Sequence, residues 1–142
     1  MIGDILSTLV GTPISDTSAV VIQGWHDSPP YLTGTLIRAA SVYSMSTGVV
    51  IAIGQDDKND LYSVTVEYNY VTWFRYCLLK TCDIHVGDHV GIGTKIGTTF
   101  KNTLRFEYCN QVQSDFPMRA LGRQLYKQDP TPILFGADVY SE

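Results

Sequence analysis

Charge is scarce in this 142-residue chain: Asp, Glu, Lys and Arg together make up 17% of it, against roughly 25% in an average globular domain. A surface so poor in charge is either covered in part by a partner or built from uncharged polar groups, and Thr, Ser and Tyr are abundant enough for the second. The net charge is −4 and no run of Lys or Arg occurs, so a binder of phosphate backbones is not expected. No stretch reaches the roughly 18 apolar residues that a membrane span needs. The first ten residues, MIGDILSTLV, carry an acid at Asp4, no basic flank and too short an apolar run for a secretory leader. The expectation is a protein made in the cytoplasm without a signal peptide. Cysteine is sparse too: Cys77, Cys82 and Cys109 are odd in number and have no zinc-ribbon spacing. They read as small, part-buried apolar residues, with a Cys77–Cys109 pairing open only in an oxidising setting.

What is present suits one ordinary domain, residues 1–142, with 44% hydrophobic residues and no need of disulfides or a metal to fold. Three parts are expected. In residues 1–18, Ile2, Ile5, Leu6, Leu9 and Val10 recur at helical spacing before Gly11, which predicts a short amphipathic helix. It would pack on its own domain or on a neighbour. Residues 19–112 form a β core. STGVVIAIG (46–54) is β-branched behind a turn, and LYSVTVEYN (61–69) alternates, with Tyr62, Val64, Val66 and Tyr68 on one face. YVTWFRYCLL (70–79) and TLRFEYC (103–109) are strand-like as well, and IHVGDHVGIGTKIG (84–97) has a Gly every few residues. Many short strands joined by Gly turns predict an antiparallel, mostly β domain. In residues 113–142, Pro117 near a first turn and Met118, Leu121 and Leu125 on one side predict a short helix, and two prolines predict an extended tail after it.

The segment 84–97 resembles the "V-x-V-G-D-x-V-x-x-G-x-x-I-G" pattern shared by lysostaphin-like (LytM-type) zinc endopeptidases and by biotinyl and lipoyl carrier domains. Physically, a Gly-Asp turn reverses the chain, Val86 and Val90 pack inward, and Gly93 and Gly97 supply positive φ or close backbone approach. No Met-Lys pair exists, which disfavours the carriers. Tyr76-Cys77-Leu78-Leu79 resembles the peptidases' Tyr-x-His-Leu, and Thr103-Leu104-Arg105-Phe106-Glu107 resembles their His-Leu-His-Phe-Glu. Gly48-Val49-Val50, Gln23-Gly24-Trp25-His26 and Asp129-Pro130-Thr131-Pro132-Ile133-Leu134 resemble further segments of that family. The resemblance spans roughly residues 20–135 and implies a β-hybrid barrel-sandwich of the lysostaphin-like type.

It also implies a zinc ion, held by His and Asp of a His-x-x-x-Asp segment and by the second His of His-x-His, activating a water. This sequence departs at every such position. Leu78 stands for the Tyr-x-His-Leu histidine, Thr103 and Arg105 for the two His-x-His histidines, and Leu32 and Leu36 fall where the His-x-x-x-Asp segment would be. No metal, no cofactor and no catalytic residue are therefore expected. The vestigial groove is assigned to Tyr76, Leu78, Thr103, Arg105 and Glu107, with Arg105 filling the metal's place and pairing with Glu107 or Glu67. His85 and His89 flank a turn and read as solvated, and Cys82 near His85 is not marked as a nucleophile. The aromatics Trp25, Tyr31, Tyr43, Tyr62, Tyr68, Tyr70, Trp73, Phe74 and Tyr76 serve either a core or an inherited groove.

The function implied is a non-catalytic structural or interaction protein on a dead peptidase scaffold. By analogy with degenerate relatives it would be a component of a phage tail or baseplate, found in the virion beside other structural proteins. The alternatives are a regulator of cell-wall hydrolases and a module that binds peptidoglycan.

Overall fold

The computed structural model describes residues 20–23 and 35–130. Their strands are β1 (Val20–Gln23), β2 (Thr35–Arg38), β3 (Ser41–Tyr43), β4 (Gly48–Gln55), β5 (Tyr62–Asn69), β6 (Thr72–Cys82), β7 (His89–Val90), β8 (Lys95–Thr99), β9 (Thr103–Asn110), β10 (Pro117–Ala120) and β11 (Arg123–Gln128). One antiparallel sheet runs in the order β1-β2-β9-β6-β5-β4-β7. β11 adds to β9 and carries β10; β8 adds to β6 and carries β3. The expected mostly β, antiparallel architecture is the one found.

Alternation explains the central strands. Leu104, Phe106 and Tyr108 of β9 and Phe74, Tyr76 and Leu79 of β6 point to one side, where Val64 and Val66 of β5 join them. Val42, Met45, Val50 and Ile96 close this core from the other strands. Phe74 stacks on Phe106 with ring centroids 5.9 Å apart. Filling such a site with Ala instead of Phe costs about 3–5 kcal/mol in comparable cores. The opposite side holds a small satellite cluster of Ile51, Trp73, Cys109 and Leu125. The middle aromatics are thus mainly core.

β6 is the longest strand, and it changes partner along its length. Thr72 to Cys77 pair with β9, whereas Leu79, Thr81 and Cys82 pair with β8. The changeover falls at Leu78, which has φ of 69° and accepts a backbone hydrogen bond from Phe100 N at 3.0 Å. In the Gly-rich segment, Gly93 has φ of 86° in a turn. Gly97 is needed for a different reason: a Cβ there would collide with the Thr81 carbonyl of the paired strand.

Three expectations change. Residues 114–127 are not a helix but the β10–β11 hairpin, in which Met118 faces Leu125. Spacing of 118, 121 and 125 suits a helix face, yet the same spacing puts 118 opposite 125 across a two-residue loop and leaves Leu121 at the tip, 71% exposed. The β structure consequently extends beyond residue 112 to Gln128. Val86 does not pack inward: it lies in the turn before β7 and is 60% exposed, while Val90 is buried as expected. The helix expected in residues 1–18 and the tail after residue 130 lie outside the described residues, as do Trp25, His26, Tyr31 and Leu32.

Candidate functional site

The side of the sheet opposite the main core holds polar groups in its middle. Because side chains alternate along a strand, Arg75 and Cys77 of β6 and Arg105, Glu107 and Cys109 of β9 all face this side. The register sets Arg75 against Glu107, Cys77 against Arg105 and, on β5, Thr65 against Arg75. Glu107 is fully buried at the centre. Its Oε1 accepts a short hydrogen bond from Arg75 Nη1. Its Oε2 lies 3.2 Å from Arg105 Nε and 3.5 Å from Lys127 Nζ. The Arg105 contact is an ion pair without hydrogen-bond alignment, since neither Arg105 Nε nor Glu107 Oε2 has a hydrogen-bonded partner among the described residues. Arg75 Nε also donates to Thr65 Oγ1 at 3.1 Å. Three cations thus surround one carboxylate. In low dielectric such an arrangement is held together by strong attraction to the one anion.

Beside this cluster lies a groove of about 290 Å³ at the ends of β4 and β5, lined by Arg75, Cys77, Leu78 and Arg105 together with Tyr62, Ser63 and residues 54–56 and 61. Of the five residues assigned from the sequence, Arg105 and Leu78 line this groove and Glu107 lies beneath it. Thr103 shares their face of β9 but pairs with Arg38 at the strand's start and donates its hydroxyl to Lys101 O at 3.1 Å. Tyr76 is not in the groove. It is fully buried in the main core on the other side, and its hydroxyl accepts a hydrogen bond from Met45 N at 3.1 Å. Of the two carboxylates considered for Arg105, Glu107 is the partner; Glu67 pairs with Arg123 instead.

Two members of the cluster were missed. Arg75 was signalled by a single charge inside an otherwise apolar strand, WFRYCLL. Lys127 was hidden by the assignment of its segment to a helix. Arg123, in the same segment, sits 5.1 Å from the Trp73 ring and 4.7 Å from the Tyr70 ring as a cation over aromatic faces.

Among the described residues, those at the implied ligand positions do not fit zinc. Leu78 has no lone pair to give, and Arg105 carries a positive charge. Leu36, at one position of the implied His-x-x-x-Asp segment, is Arg105's register partner on β2. Among the described residues no three His, Cys, Asp or Glu side chains converge. His85 and His89 are exposed, and His85 Nδ1 lies 3.8 Å from Asp88 Oδ2 across its own turn.

The cysteines are poorly suited to nucleophilic chemistry. Burial, and then the Glu107 charge, push the Cys109 thiol up to about 12 and raise Cys77 as well. Cys82 Sγ donates to Ile84 O at 3.4 Å rather than to a histidine. All three are free. Cys109 faces Trp73, four positions from Cys77 on β6, a separation of about 13 Å at ~3.3 Å per residue. A disulfide needs Cα atoms within about 7 Å, so the two cannot pair within this fold.

No protein-family model matches the sequence, and no curated protein matches it. Solved structures do resemble it. Lysostaphin, the antimicrobial peptidase of Staphylococcus simulans, is 18% identical with a TM-score of 0.69, over 88% of this chain and 54% of that one. The catalytic domain of the prophage-encoded protein EnpA from Enterococcus faecalis is 14% identical with a TM-score of 0.65, over 84% and 95%. A chain of the SpoIIQ–SpoIIIAH pore forming complex is 18% identical with a TM-score of 0.67, over 89% and 90%. At these identities the likeness establishes a lysostaphin-like fold. The chain spans about half the length of the lysostaphin chain, 54%.

Proposed function

We propose that this chain is a non-catalytic interaction module on a lysostaphin-like scaffold, serving as a structural component of a virion tail or baseplate. The observation that carries the non-catalytic part is the Glu107 cluster. Arg105 stands where the resemblance calls for a zinc-binding histidine, and it is held there by an ion pair to a fully buried carboxylate. A divalent cation would meet two guanidiniums and an ammonium at that place, and Coulomb repulsion excludes it. The strands and the packing of the fold are kept while the means of activating water are replaced by an internal ion network.

The structural role is supported by the neighbours. One of them is prophage-encoded, and another belongs to a pore forming complex, so this fold serves in a protein assembly. Low charge on the whole chain, 17% of residues, suits a surface that is partly covered.

Two measurements test the proposal. Purified protein should contain far less than one zinc per chain and release no fragments from peptidoglycan; stoichiometric zinc with released fragments would overturn the non-catalytic reading. Mass spectrometry of purified virions from the source phage or prophage should find the chain at fixed stoichiometry with tail proteins. Retention on purified sacculi with absence from virions would favour a wall-binding module instead.

A further inference from the structure

The β10–β11 hairpin is largely closed on itself. β10 pairs with β11 from Pro117–Tyr126 to Ala120–Arg123. Lys127 N donates to Phe116 O and Ser114 Oγ donates to Lys127 O, each at 2.8 Å. These bonds run within the hairpin, so they survive its displacement as a body. Among the described residues it joins the sheet through β9 alone, at Tyr126, Lys127 and Gln128.

Side chains hold the rest of it down. Leu125, with Met118 and Ala120, belongs to the satellite cluster of Trp73 on β6, Cys109 on β9 and Ile51 on β4. Arg123, beside the hairpin tip, reaches across β6 to β5. It pairs with Glu67, donates through Nη1 to Tyr70 O at 3.1 Å, and lies over the rings of Tyr70 and Trp73. All of these contacts depend on one guanidinium. The shut position also carries a cost. Trp73 is fully buried, and its Nε1–H has no acceptor among the described residues. Water reaching the indole on opening would supply that acceptor, which lowers the free energy of opening.

We propose that the hairpin is a flap that lifts from Trp73 as one unit while the rest of the sheet stays folded, and that Arg123 is the latch that holds it shut. Lifting breaks the short ladder to β9, the Arg123 contacts and the packing of Leu125. It uncovers Trp73, Ile51 and Cys109, an apolar ledge with one indole donor that the shut flap conceals. The inference goes beyond the interaction-module reading and does not depend on it, because the flap would open in the same way on a catalytic scaffold.

The test combines cysteine alkylation with native-state hydrogen exchange on the full chain. Iodoacetamide at mildly alkaline pH reports access to Cys109, assigned by peptide mass spectrometry, and amide exchange in low urea reports β6, β9 and β10. Cys109 and the β10 amides should open together with little dependence on urea, whereas β6 and β9 amides should show the steep dependence of global unfolding. Ile96→Val, in the main core on the other side of the sheet, should speed β6 and β9 exchange about five-fold and leave Cys109 alkylation unchanged. Arg123→Gln should keep the native circular dichroism spectrum and speed Cys109 alkylation at least about ten-fold, since an ion pair and two cation–π contacts are lost. It should speed β6 exchange by the same factor, because the latch is absent from both the lifted and the unfolded state. Glu67→Gln, which keeps the ring contacts, should speed alkylation less, and it tests the latch if Arg123→Gln does not fold. Cys109 alkylation accelerated by Ile96→Val as much as β6 exchange would show a single cooperative unit and overturn the flap. Wild-type alkylation rates in a folded Arg123→Gln, or in Glu67→Gln, would overturn the latch.

Discussion

At the scale of single residues, Glu107 is the hinge of the site. It is fully buried with three cations against it, so removing its charge leaves those cations uncompensated. Glu107→Gln should lower stability by about 3–5 kcal/mol, as for other broken buried pairs. Arg105→Gln should cost ~1 kcal/mol or less, because a third of its side chain reaches solvent. Urea midpoints of the two variants check this, and equal losses would show that the cluster is not centred on Glu107. The same neighbourhood sets an alkaline limit. Burial raises the thiols of Cys109, to about 12, and of Cys77. Burial also raises the Tyr76 hydroxyl. For an acid whose folded pKa lies above its unfolded one, the folded state holds the proton more tightly. Its contribution is complete below the unfolded value, near 9.0 for a thiol, and is lost as pH climbs towards 12. Stability measured by circular dichroism should therefore fall steeply above pH 9, and Cys109→Ala should flatten that slope. A slope unchanged in the variant would assign the alkaline loss elsewhere.

Individual elements show how far the sequence could be read. β5 and β9 were legible because their apolar residues alternate nearly completely, even though Thr65, Glu107 and Cys109 on the other face are buried as well. Gly93 and Gly97 were legible as a pair of needs, and the structure divides them: positive φ at the first, close approach at the second. The β10–β11 hairpin was not legible, because its apolar residues fit two periods at once. Its loop also breaks the local rule. Leu121 and Gly122 have φ of 51° and 75°, the double positive φ of a two-residue hairpin turn that favours Asn-Gly. A leucine in the left-handed region is strained, and nothing in its side chain advertises the turn. Leu121→Asn should relieve that strain and raise stability by about 1 kcal/mol, read as a rise in Tm. No change or a fall would mean that the exposed leucine makes a contact of its own. The partner change of β6 was equally hidden. A non-glycine positive φ at Leu78 leaves no mark in the residue type, and only the resemblance singled the position out.

Over the whole molecule, the site inherits its rigidity from where it sits. Arg75 and Arg105 stand on β6 and β9, which each pair with three other strands among the described residues and have the main core beneath them. The hairpin that supplies Lys127 is different. It joins the sheet along only three register pairs of β11, Tyr126 to Gln128, and β10 is an open edge beyond it. Its apolar support is the small cluster of Trp73, Cys109, Ile51 and Leu125. Free energy of opening should therefore be uneven. Hydrogen-bonded amides of β6 and β9 should exchange only by global unfolding, while those of β10 should exchange sooner, by lifting of the hairpin alone. That motion would withdraw Lys127 from Glu107 and leave Arg75 and Arg105 in place. Native-state hydrogen exchange at low denaturant separates the cases. If β10 amides prove as protected as those of β6, the hairpin is part of one cooperative unit. Lys127 is then as fixed a member of the cluster as the two arginines.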